Sequence, residues 1–349
     1  MPFNLRKPQA IVAIASLLLV MLIAAACGSN GNSGGSGASS PAAAESASPS
    51  ASSTVSPSES PSPAANPGTE TRVVRDAFGE VEVPANPQRI VILNSSGLDN
   101  LLALGVKPIG APYSISVNAN FFAHLAGQTD GIENTGTTDQ PNLESIAKLN
   151  PDLIIGQRDT HEAVYEDLKR IAPTVLTERV TGDWKGLFRD QADAVNKLGE
   201  ADRLIGEFEA RIAKFKTDMG DKLTNATVTL IRPREDHIRI YTENSYAGDI
   251  VKEAGLARPA NQQGVSGQHI AITEEQIGDM DADVIISFGR ESEAAFFNDK
   301  IQTNPLWGTL SAVQNERVHM VNWETWLSGQ GIQASNLVLD DLHRFFGAQ

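Results

Sequence analysis

The sequence predicts two α/β lobes joined by one long helix, and three observations carry that prediction. Short apolar strands alternate with helical stretches before residue 183 and again after residue 219. Between them runs an amphipathic stretch without proline, Asp183 to Met219. A helix-strand string in the first half also recurs without a gap in the second, 131 residues on. Apolar strands flanked by helices are what a mostly parallel sheet, covered on both faces, requires.

Before the lobes comes a segment of different character. Arg6 and Lys7 precede an apolar run, Ala10 to Ala26, that ends in small residues just before Cys27, the single cysteine of the 349-residue chain. This is the layout of a secretory signal. The run has about 17 residues, the short end for a bilayer span, so a transmembrane anchor is the competing reading. From Gly28 to about residue 70 nearly every position is Gly, Ser, Ala, Pro or Asn, too little apolar surface to offset ordering entropy. A disordered spacer is expected there. A lone cysteine excludes an intramolecular disulfide framework and, in the folded part, a cysteine nucleophile or thiolate site. The net charge of −15 disfavours nucleic acid or anionic lipid as partner. The remaining length, about 280 residues, suits two lobes. The boundaries read as signal 1–27, spacer 28–70, first lobe 71–184, connecting helix 185–219 and second lobe 220–349.

The elements follow in order. Thr71 to Val83 alternates around Asp76 to Gly79 as a hairpin. Arg89 to Leu93 reads as a strand, then a helix from Leu98 to Leu104 capped by Ser95 or Ser96 and closed by Gly105. Strands are expected at Lys107 to Ala111 and Asp152 to Gly156, with a helix from about Thr160 to Ala172 ended by Pro173. Leu187, Ala194, Leu198, Leu204, Phe208, Ile212 and Phe215 lie near helical spacing, which predicts one helix of about 30 residues with Gly199 and Gly206 as weak points. Strands resume at Thr227 to Arg232 and His237 to Tyr241, a helix at Tyr246 to Ala254, strands at Asp283 to Phe288 and Val318 to Val321, and a last helix from Gly331 to Phe346. In the internal repeat Glu144 falls on Glu275, Ile146 on Ile277 and Asp152 on Asp283. Thr273 and Gln276 form a capping-box pattern at the second helix start.

Several strings together carry a family likeness: Arg75-Asp-Ala-Phe-Gly-Glu-Val-Glu-Val-Pro84, Pro87-Gln-Arg-Ile-Val91, Leu101-Leu-Ala-Leu-Gly105, Pro141-Asn-Leu-Glu144, Pro151-Asp-Leu-Ile-Ile155 and Ala282-Asp-Val-Ile-Ile286. From Thr71 onward the chain resembles the substrate-binding lipoproteins of ABC importers for ferric siderophores, haem and cobalamin. The resemblance implies two Rossmann-like lobes, a cargo cleft between them, a monomer, and delivery of cargo to ABC permease subunits without chemistry on it. It also implies extracytoplasmic residence and acylation of Cys27 in a lipobox, with Ala24 where that family usually has Leu. One surface glutamate per lobe engages the permease in such proteins, and the matching residues are Glu144 and Glu275.

The cargo is read from the loops. Arg232, Arg234 and Arg239 stand within eight residues of an otherwise acidic chain, and on a hairpin Arg239 and Tyr241 share a face. Paired guanidinium donors suit carboxylate and hydroxamate oxygens. The competing reading pairs these arginines with Glu235, Asp236 and Glu243 on a solvated hairpin. The segment resembles the cargo-facing hairpin of binders of hydroxamate and citrate-hydroxamate ferric complexes. Facing it would be Arg158 and His161, at the end of a parallel strand. Trp184, Trp323 and Trp326 are candidate apolar walls for a chelate, or core residues.

No nucleophile elbow, phosphate loop or zincin helix occurs, so an enzyme is not expected. The six histidines lack ligand spacing, which disfavours a bare metal site; iron would be held by the siderophore, with no cofactor. Haem or cobalamin stays open as cargo, needing one axial side chain and an apolar cleft. A surface lipoprotein without transport role is the second alternative.

Overall fold

The computed structural model describes residues 70–114, 120–178 and 182–347. The signal, Cys27 and the spacer lie outside the described residues. A hairpin of β1 (Thr71–Asp76) and β2 (Gly79–Pro84) leads into the first lobe. That lobe holds β3 (Ile90–Ile92), α1 (Ser95–Ala103), β4 (Gly110–Ala111), β5 (Glu133–Asn134), α2 (Leu143–Lys148), β6 (Leu153–Gln157), α3 (Arg158–His161), α4 (Tyr165–Lys169) and β7 (Thr174–Thr177). Its sheet runs β5-β4-β3-β6-β7, parallel throughout. After α5 (Trp184–Ala194) and α6 (Leu198–Met219) come β8 (Val228–Pro233), β9 (Ile238–Tyr241), α7 (Tyr246–Glu253), β10 (His269–Ile272), β11 (Val284–Ser287), α8 (Ala294–Phe296), α9 (Ser311–Gln314), β12 (Val318–Met320) and α10 (Ile332–Leu342). The second sheet runs β10-β9-β8-β11-β12. Here β8, β11 and β12 are parallel, whereas β9 is antiparallel to both neighbours.

Strand alternation explains why these short runs are wholly apolar. Ile90, Ile92, Leu153 and Ile155 face one core while Val91, Leu93 and Ile154 face another, so every side chain of the strand is buried. In the second lobe Val228, Leu230, Val284 and Ile286 face the core that also holds Ile90 and Ile92. Ile231 and Ile285 pack on the far side. One apolar cluster thus continues from the inner face of the first sheet, through α1, α5, α6 and α10, to the inner face of the second.

The internal repeat has a physical basis. Asp152, just before β6, accepts from the backbone N–H of Gln88 (2.8 Å) and Arg89 (2.9 Å), which fixes the entry to β3. Asp283, just before β11, accepts from the N–H (2.8 Å) and hydroxyl (2.6 Å) of Thr227, which fixes the entry to β8. Each aspartate ties the third strand of its sheet to the fourth, so the equivalence seen in sequence is one of position and of task.

Three expectations need correction. The stretch 183–219 is two helices, because the chain turns through Asn196 in the left-handed region (φ 58°) between α5 and α6. The connecting helix proper is therefore α6, with 22 residues. Asparagine tolerates that conformation better than other side chains, and neither Gly199 nor Gly206 breaks the helix. Ser95 and Ser96 lie inside α1 rather than capping it: the cap position is Asn94, whose side chain donates to Ser96 Oγ (2.7 Å). The region after β6 is not one helix but α3, a 3-10 turn at Glu162–Val164 and α4.

The helices between the sheets are also tied by charge. Lys185 on α5 bridges Glu209 on α6 (2.9 Å) and Glu253 on α7 (2.6 Å). Burial, with Glu253 close by, pushes the neighbouring Asp249 carboxyl up to about 6 from an ordinary 3.8. Ionised Asp249 therefore opposes folding above pH 6, and the penalty fades as pH falls from 6 towards 4 and the folded state takes up the proton first. Asp249→Asn should raise stability by about 1–2 kcal/mol at pH 8, a figure reduced for partial exposure, and by almost nothing at pH 4. Urea melts at the two pH values check this; an equal effect at both would refute it.

Candidate functional site

A cleft of about 230 Å³ opens where strands of both sheets end. The first lobe contributes Asn94, Ser95 and Ser96 after β3, Gln157 at the end of β6, and Ser114, Phe122 and Thr138 from loops. The second contributes Arg290, Ser328 and Gln330. Strand carboxyl ends are where open α/β sheets take ligands. Counted from the clamped residues Arg89 and Thr227, Asn94 and Arg232 are positional equivalents, each five residues on. One lobe thus offers an amide and the other a guanidinium. Asn94 is 2% exposed and its Oδ1 has no partner among the described residues.

The cationic wall is built around one carboxylate. Glu293, 3% exposed, receives Arg232 Nε (3.0 and 3.1 Å) and Nη2 (2.7 Å), and forms an ion pair with Arg234 Nη1 (3.2 Å). Its Oε2 also accepts from the backbone N–H of Arg290 (2.8 Å). The Arg290 guanidinium lies over the Trp323 ring, 4.6 Å from its centroid. Its Nε is buried without a hydrogen-bond partner among the described residues. Burial and the charges of Arg232 and Arg234 lower its pKa, although Glu293 acts the other way. It stays charged at neutral pH all the same, since a guanidinium starts above 12.

The residues singled out from sequence divide into two groups. Arg232, Arg234 and Trp323 belong to this wall; Arg239 stands opposite Arg232 across the β8–β9 ladder and donates to His237 Nε2 (3.3 Å). Tyr241 adjoins the wall through Arg232, and the remainder are occupied elsewhere. Arg158 faces solvent and pairs with Glu178 (2.6 Å) and Glu162 (3.5 Å), with its charge over the Phe78 ring, while the adjacent Gln157 takes the cleft position. His161 is fully buried: Nδ1 accepts from Gln157 N–H (3.0 Å) and Nε2 donates to Thr138 O (2.9 Å). Burial lowers its pKa, so the ring is a neutral pin that holds the Thr138 loop against β6. Tyr241 is buried beside Phe288 at 5.0 Å. Trp184 packs edge-on against Phe208 at 5.2 Å, and Trp326 is 1% exposed with Nε1 donating to Asp341 (2.8 Å). These two tryptophans are core because the shared interior, not the cleft, surrounds them.

Sequence reasoning missed Arg290, Glu293, Asn94 and Gln330. Arg290 had a signal, since it follows the second strand of the internal repeat at its carboxyl end. Gln330 had none. It sits in the left-handed region (φ 51°) after a wide helical turn at Glu324–Gly329, a costly conformation for glutamine that is held by the packing around it. Glu324 in that turn also accepts from Ala123 N–H (2.7 Å), which ties the two walls of the cleft at one end.

Glu144 opens α2 with its side chain 78% exposed and pairs only with Lys148 (2.7 Å) among the described residues. Glu275, also exposed, lies in the 3-10 segment Glu274–Met280 and accepts from Thr273 Oγ1 (2.6 Å), which lowers its pKa.

Residues 90–321 match the family model described as periplasmic binding protein. A probable siderophore-binding lipoprotein of Bacillus subtilis (strain 168), YfiY, is 37% identical over 289 residues, covering 80% of this chain and 88% of that one. The Fe(3+)-citrate-binding protein YfmC of the same organism is 30% identical over 276 residues, covering 78% and 85%. Among solved structures, Staphylococcus aureus SirA complexed with staphyloferrin B superposes with a TM-score of 0.72 at 29% identity, covering 80% of this chain and 99% of that one. With two lobes, a connecting helix and a cleft at the strand ends, the chain belongs to the periplasmic binding protein family, whose members bind substrate for transporters and are not enzymes.

Proposed function

We propose that this protein captures a ferric siderophore outside the membrane and hands it to an ABC permease. The observation that carries the reading is the wall of Arg232, Arg234 and Arg290, in which one carboxylate, Glu293, pairs with the first two guanidinium groups and accepts only the backbone N–H of the third. Opposite lie the hydroxyls of Ser95, Ser96 and Ser114 and the amides of Asn94 and Gln157. Such a cleft suits a chelate with a negative, oxygen-rich exterior that already satisfies its own iron. The names of the relatives support the same cargo class. The sequence favours a hydroxamate or citrate-hydroxamate complex, and the excess of positive charge favours the citrate-bearing kind. In this reading the chain works as a monomer, tethered through lipid on Cys27, with Glu144 and Glu275 engaging the permease.

Trp323 beside Arg290 supplies an optical probe. Ferric chelates of the hydroxamate, citrate-hydroxamate and catecholate types, with haem and cobalamin as controls, should be titrated against tryptophan fluorescence. Arg290→Gln should weaken the preferred chelate by about tenfold to a hundredfold, the worth of one hydrogen bond to a charged group. If no ferric chelate is bound, the proposal fails; if haem alone is bound, the cargo is misassigned.

A further inference from the structure

We infer that Glu293 is a specificity-determining positioning residue: it sets the net charge of the cationic wall and so selects ferric chelates that carry several negative charges over neutral ones. This rests on the siderophore reading of the cleft. Glu293 is nearly inaccessible, at 3% exposure, and both its oxygens are committed within the wall. Oε1 joins Arg232 and Arg234, while Oε2 joins Arg232 and the backbone N–H of Arg290. A single carboxylate therefore fixes two guanidinium groups and the loop that bears the third.

The balance of charge follows from this arrangement. Three guanidinium groups against one carboxylate leave two positive charges uncompensated in a partly dry site. Arg290, the one that lines the cleft, has no ion pair among the described residues. A second carboxylate would have neutralised the wall further, and none would have left a buried Arg232 unpaired. Gly289 assists the geometry: a Cβ there would press on Pro233 at 3.0 Å, so the loop approaches β8 closely because the position lacks a side chain. A multiply carboxylated chelate would replace the missing negative charge, whereas a neutral trihydroxamate complex would leave it missing.

The test compares ratios rather than affinities. Binding of a multiply anionic ferric citrate-type chelate and of a neutral ferric trihydroxamate is measured at two salt concentrations for the wild type, Glu293→Gln and Arg234→Gln. Glutamine keeps an acceptor for Arg232 and removes the charge. The anionic-to-neutral affinity ratio should rise about tenfold in Glu293→Gln, with a steeper salt dependence, and fall about tenfold in Arg234→Gln. Arg234 is partly exposed, so its variant decides the matter should Glu293→Gln fail to fold. Equal loss of both affinities, with the ratio unmoved, would make Glu293 a structural prop and overturn the inference while leaving the siderophore reading intact. A wild-type protein that binds neither chelate would overturn the reading itself.

Discussion

Asp99→Ala should cost about 3–5 kcal/mol of stability, since it removes one buried acceptor from three donors at about 1–3 kcal/mol for each group left unsatisfied. Asp99 is fully buried on α1, and its carboxylate meets three donors: His124 Nε2 (2.8 Å), Gln333 N–H (2.8 Å) and Ala334 N–H (3.0 Å). The last two belong to the first turn of α10, where backbone N–H groups lack helical partners and carry the positive end of the dipole. The neighbouring Asn100 Oδ1 accepts from Ile332 N–H (3.0 Å). Two side chains of α1 thus cap a helix more than 230 residues away. Gly331 makes room for this, because a Cβ there would collide with the Asp99 carboxylate. Alanine at 99 leaves three buried donors unsatisfied. Thermal melts should show a fall of roughly 6–15 °C, scaling at a few degrees per kcal/mol for a domain of this size. A shift under about 2 °C would mean that water replaces the carboxylate freely and that the joint is not structural.

The second large effect is expected in cells. Glu144→Ala with Glu275→Ala should leave cargo affinity and melting temperature nearly unchanged yet remove most uptake where the cognate permease is present. Both carboxylates are exposed, each in the first turn of the segment that feeds the fourth strand of its sheet. Lys148 and the Thr273 hydroxyl hold them only from the surface, and exposed pairs of that kind contribute about 0–1 kcal/mol. Charges at a rim govern encounter and orientation more than affinity. Two matched pockets on a permease of two related subunits would explain why the same residue recurs 131 positions on. Unmutated uptake in the double variant, at normal expression, would reduce these glutamates to helix-start residues.

The two lobes and their central strands were legible because burial on both faces demands uninterrupted apolar runs, and Leu153 to Ile155 and Val284 to Ile286 supply them, whereas the order of strands in each sheet was not read from the sequence. The repeat was legible for a second reason: Asp152 and Asp283 each clamp a neighbouring strand, so neither position tolerates drift. The break at Asn196 was not, since a single left-handed residue leaves the apolar spacing of α5 and α6 almost in phase. The site was legible only by composition. Arginines mark a cationic wall, but which of them faces the cleft depends on partners remote in sequence, and Glu293 lies 61 residues from Arg232. At the end of β6 the outcome turned on one residue of strand alternation. Gln157 points in and Arg158 points out, where Glu178 and Phe78 receive it.

The joint between Asp99 and α10 has a consequence for biogenesis. A chain made from its amino end contains every strand of both sheets before Gln333 and Ala334 exist. Until then the Asp99 carboxylate has His124 but lacks its two helix-end donors, and contacts this distant in sequence carry the loop-closure cost that slows folding. The nascent protein thus holds its own last turn of assembly in reserve: the binding cleft gains its Gln330 wall, and the first lobe its missing counter-dipole, in the same closing step.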